Sequence, residues 1–339
     1  MKKNKPTIHE IAKLLKIDSS TVSRALNDSN LVTQKTKDKV LKKAKEIGYQ
    51  RNLLASNLRK SKSNTIGVIV PRISRHFFSS TIAGIEEAAY AHGYNVVIAQ
   101  SMEKLEREKR IVGNLISNRV DGVLISVSME TVDSEHLKKF DESNIPLVFF
   151  DRSLSDIDSS KVLIDDYKAS LEATEHLINI GCRNIAHLSG PKNLNIYKNR
   201  LKGYKAALKL NDIPFDRDLV FTSTLNQEDG YELAGKILNY KKKVDGIVSA
   251  NDLAAIGAMK KIKEAGKSVP KDVAVVGFSN EPMSAVIEPA LSTVDQSGYD
   301  IGKIACNLLI DSLKEGKSNV TAKTVTLSPT LIKRQSTSR

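Results

Sequence analysis

Beyond position 65 the chain alternates between short apolar runs and longer stretches in which apolar residues return every three or four positions, a rhythm that predicts strand then helix, repeated. Runs at 66–70, 96–99, 122–127, 147–150, 162–164, 185–188, 246–249 and 273–277 are strand-sized and nearly free of polar residues. Strands of that kind are buried on both faces, so they predict parallel, doubly wound sheets covered by helices. The pattern also echoes itself. Gly93 precedes Tyr94-Asn95-Val96-Val97-Ile98 as Gly181 precedes Cys182-Arg183-Asn184-Ile185-Ala186, and Val120-Asp121-Gly122-Val123 returns as Val244-Asp245-Gly246-Ile247. Two similar α/β lobes with a cleft between them follow, unless the glycines are only ordinary helix stops.

Before position 65 the rhythm differs. Thr7 is a good N-cap, and Ile8, Ile11, Ala12, Leu14 and Leu15 follow at helical spacing, which predicts a helix of about two turns. Lys16-Ile17-Asp18 interrupts it, Asp18 can cap the next helix, and the segment from Ser19 to Leu26 turns Val22, Ala25 and Leu26 inward. A third helix, capped by Thr33 and stopped at Gly48, carries Val40, Leu41, Ala44 and Ile47 on one face and most of its lysines elsewhere. Three short helices make a small all-α core. Residues 52–59 could add two helical turns before Lys60-Ser61-Lys62-Ser63-Asn64 breaks them, and a helix that short needs a partner.

Charge changes this picture. The net charge is +13, and residues 1–62 hold 16 Lys and Arg against 5 Asp and Glu, leaving 36 against 34 for the rest. Nearly the whole excess sits on the helical head, the electrostatic footprint of a phosphate-binding surface. The 40% hydrophobic content is that of ordinary globular domains, and no apolar run approaches the ~18 residues of a membrane span. The basic start leads into a polar amphipathic segment rather than a secretory signal, so a cytoplasmic protein without a membrane role is expected. Cys182 and Cys306 form no Cys-x-x-Cys, and the six histidines form no metal or catalytic set. No Gly-x-Gly-x-x-Gly, phosphate-cradling Gly-Lys-Ser/Thr loop or Gly-x-Ser-x-Gly is present. Neither an enzyme nor a cofactor is expected.

Thr7-Ile8-His9-Glu10-Ile11-Ala12, Ser20-Thr21-Val22-Ser23-Arg24-Ala25-Leu26-Asn27 and Lys35-Thr36 together resemble the head of the lactose-repressor and galactose-repressor family. The resemblance runs on through Asn52-x-x-Ala55-x-x-Leu58, Val120-Asp121-Gly122, Ser189-Gly190-Pro191, Arg200-x-x-Gly203, Asn251-Asp252, Val276-Gly277-Phe278 and Leu291-Ser292-Thr293-Val294, and so covers essentially the whole chain. It implies a small all-α helix-turn-helix head joined to a two-lobed, periplasmic-binding-protein-like α/β body. The implied domains are 1–50 for DNA binding, 51–64 for a hinge helix and linker, and 65–335 for effector binding and dimerisation. Within the body, 65–163 plus 294–322 would form one lobe and 164–293 plus 323–335 the other.

By the same resemblance Ser19, Ser20 and Arg24 read bases, where short polar side chains and a guanidinium meet the major-groove edges, and Arg24 reaches guanine or phosphate. Thr7, Thr21, Ser23 and Asn27 fix register on the phosphates. Asn52, Ala55 and Leu58 lie in the hinge, with Leu58 as the minor-groove wedge or, alternatively, a leucine packed on the body. The family commonly has proline where this chain has Arg51.

Ligands of open α/β sheets bind beyond the carboxyl ends of the strands, which nominates residues 72–78, Ser126, Asp151, Arg152, Asn251, Asp252, Ser279 and Asn280 from the pattern alone. The resemblance selects Asp151, Arg200, Asn251 and Ser279 as effector contacts. Relatives often have aspartate where Ser279 stands, and since the chain has no Trp, Phe77, Phe78 or Tyr197 could supply the stacking face. The partners implied are a pseudo-palindromic duplex operator, a small molecule of carbohydrate type and a second copy of the chain. A sugar-binding transport component is the competing reading, disfavoured by the basic head and the missing secretory signal. The sequence leaves open which effector acts, and whether it releases or promotes DNA binding.

Overall fold

A computed structural model describes residues 6–49, 62–315 and 321–339. The chain divides into two compact units, Met1–Ser63 and Asn64–Arg339.

The first unit contains α1 (Ile8–Leu15), α2 (Ser19–Leu26) and α3 (Gln34–Glu46). The Thr7 hydroxyl accepts from the Glu10 amide, and the Asp18 carboxylate accepts from the Ser20 amide at 2.7 Å, so each of the first two helices starts on the side chain expected of it. Lys16 takes a left-handed conformation that closes α1 and sets the tight turn. Ile11, Ala12, Val22, Ala25, Val40 and Ala44 form the core. Two details depart from the sequence expectation. Leu41 is exposed, whereas Lys37 is buried, its Nζ donating to the Asp28 carboxylate at 2.6 Å and to the Asp28 carbonyl. Thr33 gives α3 no side-chain cap; its hydroxyl pairs instead with that of Thr36.

The second unit holds two six-stranded sheets. The first is built from β1 (Thr65–Val70), β2 (Asn95–Gln100), β3 (Gly122–Ile125), β4 (Leu147–Phe150), β5 (Ser160–Ile164) and β11 (Thr324–Leu327), in the order β11-β5-β4-β3-β1-β2, all parallel. The second is built from β6 (Ile185–Ser189), β7 (Val220–Thr222), β8 (Gly246–Ser249), β9 (Ala274–Phe278), β10 (Ser292–Asp295) and β12 (Thr330–Ile332), in the order β12-β10-β9-β8-β6-β7, parallel except for β12 against β10. Helices α4 (His76–Ala91), α5 (Leu105–Ser117), α6 (Lys138–Glu142) and α12 (Gly298–Glu315) accompany the first sheet. Helices α7 (Asp166–Asn179), α8 (Asn195–Leu210), α9 (Gln227–Leu238), α10 (Asp252–Glu264) and α11 (Pro282–Val286) accompany the second. β1, β3, β8 and β9 are almost wholly buried, which is why they read as unbroken apolar runs.

Glycine lets three helix pairs approach closely, α7 with α8 through Gly203 among them. A Cβ on Gly302 would overlap the Thr81 carbonyl, and one on Gly84 the Tyr299 carbonyl, so α4 and α12 pack backbone against backbone; Gly230 and Gly257 do the same between α9 and α10.

The chain passes between the lobes three times, after β5, after β10 and between β11 and β12. Two of these crossings lie elsewhere than the sequence suggests. Residues 323–327 belong with the first lobe because β11 pairs with β5, and Val294 and Asp295 belong with the second because β10 pairs with β9 and β12. The last residues are also structural. Ser336 and Thr337 are buried, with the Ser336 hydroxyl donating to the Val275 carbonyl and accepting from the Ser292 amide. Among the described residues, no helix is long and apolar enough to cross a membrane.

Candidate functional site

On α2, Ser20, Arg24 and Asn27 are exposed and Ser19, Thr21 and Ser23 half-buried, so the helix offers a short polar row ending in one guanidinium. Ser19 also braces the head: its hydroxyl bonds to the His9 ring at 3.0 Å, tying the start of α2 to α1. Asn27 donates its side-chain amide to the Ser23 carbonyl and closes the helix. Thr7 is exposed at the start of α1. Asn52, Ala55 and Leu58 lie outside the described residues.

In the body, Phe77, Phe78, Asp151, Arg200, Asn251 and Ser279 all line one cleft at the carboxyl ends of the strands, between the lobes. They come from five separate chain segments. Asp151 follows β4 and is buried, with the Ser126 hydroxyl donating to it at 3.3 Å, and burial above all pushes its pKa up. Arg200, on α8, donates through Nε to Asp166 at 2.7 Å, through Nη1 to the Ala250 carbonyl and through Nη2 to Gln296, and it stacks 3.5 Å over the Phe278 ring. Asn251 uses its side-chain oxygen to cap α10, accepting from the Leu253 amide at 2.7 Å. The Ser279 hydroxyl accepts from the Gln296 amide at 2.7 Å. Phe77 and Phe78 meet edge to face, 5.1 Å apart, and are largely sunk in the first lobe.

Backbone strain concentrates here. Glu103, Asp151, Leu225 and Ser279, all lining the cleft, have φ of 61°, 59°, 58° and 109°. Non-glycine residues keep such conformations only where the surroundings impose them, and they cluster at ligand sites.

The sequence reading did not single out several residues that shape the cleft. Glu103 accepts a two-pronged pair from Arg152, at 2.8 and 3.2 Å. From the second lobe, Asn195 accepts from the Ser153 amide and donates to the Asp151 carbonyl, while Asn193 donates to the carbonyls of Met129 and Thr131. Glu281 accepts from the His76 amide across the same gap. These clasps leave a cavity of about 50 Å³, well below the ~300 Å³ of a typical ligand pocket, so the lobes stand closed on each other. A larger cavity of about 720 Å³ lies at the edge of the first lobe beside α6 and is lined by that lobe alone.

Asp252, nominated by the strand-end rule, serves the fold. It is buried and accepts from the Thr293 hydroxyl at 2.6 Å and the Glu281 amide at 2.8 Å, pinning the loop after β9 to α10. Burial pushes its pKa up to about 7 against those bonds. The folded protein therefore holds a proton that the unfolded chain releases near pH 4, and this contribution to stability is lost as pH rises through 7. In Asp252→Asn the fall of melting temperature between about pH 4 and 7 should be visibly shallower than in the parent, and an unchanged slope would show that Asp252 is already ionised.

Comparison with known proteins places both units. Residues 7–52 match the family "Bacterial regulatory proteins, lacI family", and residues 63–333 match "Periplasmic binding proteins and sugar binding domain of LacI family". The chain is 33% identical over 332 residues to the HTH-type transcriptional regulator RegA of Clostridium saccharobutylicum, covering 98% of this chain and 99% of that one. It is 32% identical to the ribose operon repressor of Halalkalibacterium halodurans, over 91% of each. Its fold matches the lac repressor dimer bound to operator and the anti-inducer ONPF, with a TM-score of 0.86 at 27% identity over 98% of this chain and 99% of that one. The helix-turn-helix head, the two-lobed parallel body and the matches along nearly the full length lead to one assignment: the chain belongs to the lactose-repressor family of DNA-binding transcriptional regulators.

Proposed function

We propose that this regulator acts in the cytoplasm as a homodimeric repressor whose grip on a pseudo-palindromic operator is set by a small polyhydroxylated molecule held between the lobes. The observation that carries the ligand reading is the convergence of Asp151, Arg200, Asn251 and Ser279, from separate elements, on one strained cleft beside Phe77 and Phe78. Carboxylate, guanidinium, amide and hydroxyl groups beside an apolar wall suit a ring bearing several hydroxyls. A carbohydrate is favoured further by a ribose operon repressor among the relatives and by a related Enterococcus faecium regulator solved with bound ribose.

On DNA, Ser19, Ser20 and Arg24 would read bases and Thr7, Thr21, Ser23 and Asn27 would hold phosphates, with Asn52, Ala55 and Leu58 at the minor groove. A second copy is supported by apolar surface on both lobes. The edge strand β2 leaves Val97 and Ile98 exposed, Tyr90 on α4 is 79% exposed, and Val286 on α11 is 81% exposed. One titration tests the DNA and ligand parts together. With two heads each neutralising about three phosphates, log affinity should fall against log salt with a slope near −5, and a sugar that raises the melting temperature should shift the whole line. A slope shallower than about −2, or a stabilising sugar without effect on operator affinity, would contradict the proposal.

A further inference from the structure

Resting on the reading of the cleft as the effector site, we propose that the effector carries an anionic group, a carboxylate or phosphate, received by Arg75 and Arg152. The case is an inventory of donors and acceptors. Arg152 is 5% exposed, and its Nη atoms are committed to Glu103 and to the Val127 carbonyl. Its Nε is buried with no acceptor; Asp151 Oδ2, at 3.8 Å, is too far for a hydrogen bond. Arg75 Nη1 is likewise buried without an acceptor, and both residues line the same cavity. A buried donor left without an acceptor is costly to keep, and one such N–H on each of two guanidinium groups lining the same cavity points to a ligand that supplies acceptors.

The carboxylates nearby answer this need only in part: Asp151 stands 3.8 Å from Arg152 Nε, and Glu281 is the leading charge favouring ionised Arg75. The two oxygens of Glu103 already accept both Nη atoms of Arg152 and the Met129 amide, and Glu281 accepts from the His76 amide. Burial is the main influence on Arg75 and depresses its pKa, so its charge is under-compensated by its neighbours. Arg200 adds to the same field: three of its five N–H groups are used, which leaves two. Arg75, Arg152, Arg200 and Tyr197 all line the one cavity. A neutral hydroxyl accepts weakly from such donors, whereas a carboxylate or phosphate accepts charge-assisted, often paired, bonds.

Titration calorimetry of the full chain with hexuronates, aldonates, sugar phosphates and their neutral parent sugars tests the assignment, and the carboxylate and phosphate arms identify the group. The expected result is at least one anion bound about tenfold or more tighter than its neutral parent, with that preference mostly lost in Arg75→Gln and partly kept in Arg75→Lys. Melting of the unliganded variants reports whether each folds, and if Arg75→Gln does not, the Lys variant and the wild-type ratios decide. Neutral sugars binding as tightly as their acids and phosphates, or no binding by any anion at millimolar concentration, overturns the inference. Sugar binding abolished by Asn251→Ala would then leave the cleft reading standing, whereas sugar binding indifferent to Asn251→Ala would remove the cleft reading itself.

Discussion

Arg24→Ala is expected to weaken binding to the cognate operator by about 1 to 3 kcal/mol per head, and by twice that in a dimer, roughly thirtyfold to more than ten-thousandfold. The reason lies in how α2 is built. Asp18 caps it, Ser19 is tied to α1 through His9, and Val22 and Ala25 anchor its inner face, so the exposed face is rigid and its one guanidinium stands one turn beyond Ser20. A preset arginine of this kind reaches a guanine edge without ordering anything else first. The measurement compares an operator selected from random DNA with a scrambled duplex. Loss confined to the operator assigns Arg24 to a base; equal loss on both assigns it to phosphate; no loss removes the outer face of α2 from the interface.

The second large effect concerns Asp166. It is 3% exposed, as is Arg200, and the two are joined at 2.7 Å. Asp166→Ala leaves a buried guanidinium without its counter-ion, so unfolding free energy should fall by about 3 to 5 kcal/mol in urea denaturation. Burial works the other way on the intact pair, pushing the Asp166 carboxyl up to about 6 while Arg200 pulls it down. That opposition is why removing both charges should be milder than removing one. Asp166→Leu combined with Arg200→Met should recover most of the lost stability, yet it should lose the response to effector, because Arg200 lines the cleft. A double variant as unstable as Asp166→Ala would mean that the pair itself, rather than the orphaned charge, holds the fold.

What the amino-acid pattern could and could not convey follows from where each residue sits. Strands such as β4 and β8, buried on both faces, announce themselves as apolar runs, and their ends match the structure. β10 does not, because Ser292 and Thr293 are buried as hydrogen-bonded hydroxyls rather than as hydrocarbon, and β7, β11 and β12 are short edge strands with little apolar demand. The missed strands displaced the expected lobe crossings. In the head, helical periodicity placed Leu41 inside and Lys37 outside, but Asp28, nine residues away, draws Lys37 in. Within the cleft, residues following strands could be nominated in advance. Asn193, Asn195 and Glu281 could not, since each acts by holding backbone groups of the opposite lobe, and one sequence does not state which loops face each other.

The threefold passage of the chain between lobes also sets an order of assembly. The head has its own core within the first fifty or so residues, so it can be complete early in synthesis. The first lobe cannot: β5 ends at Ile164, and its outer neighbour β11 starts only at Thr324, with α12, which packs on α4, also near the end. Contacts this distant in sequence close late and slowly. A nascent or truncated chain ending before Leu327 therefore carries a DNA-reading head and a first lobe whose sheet edge is still open, and effector control is a property that only the nearly finished polypeptide can acquire.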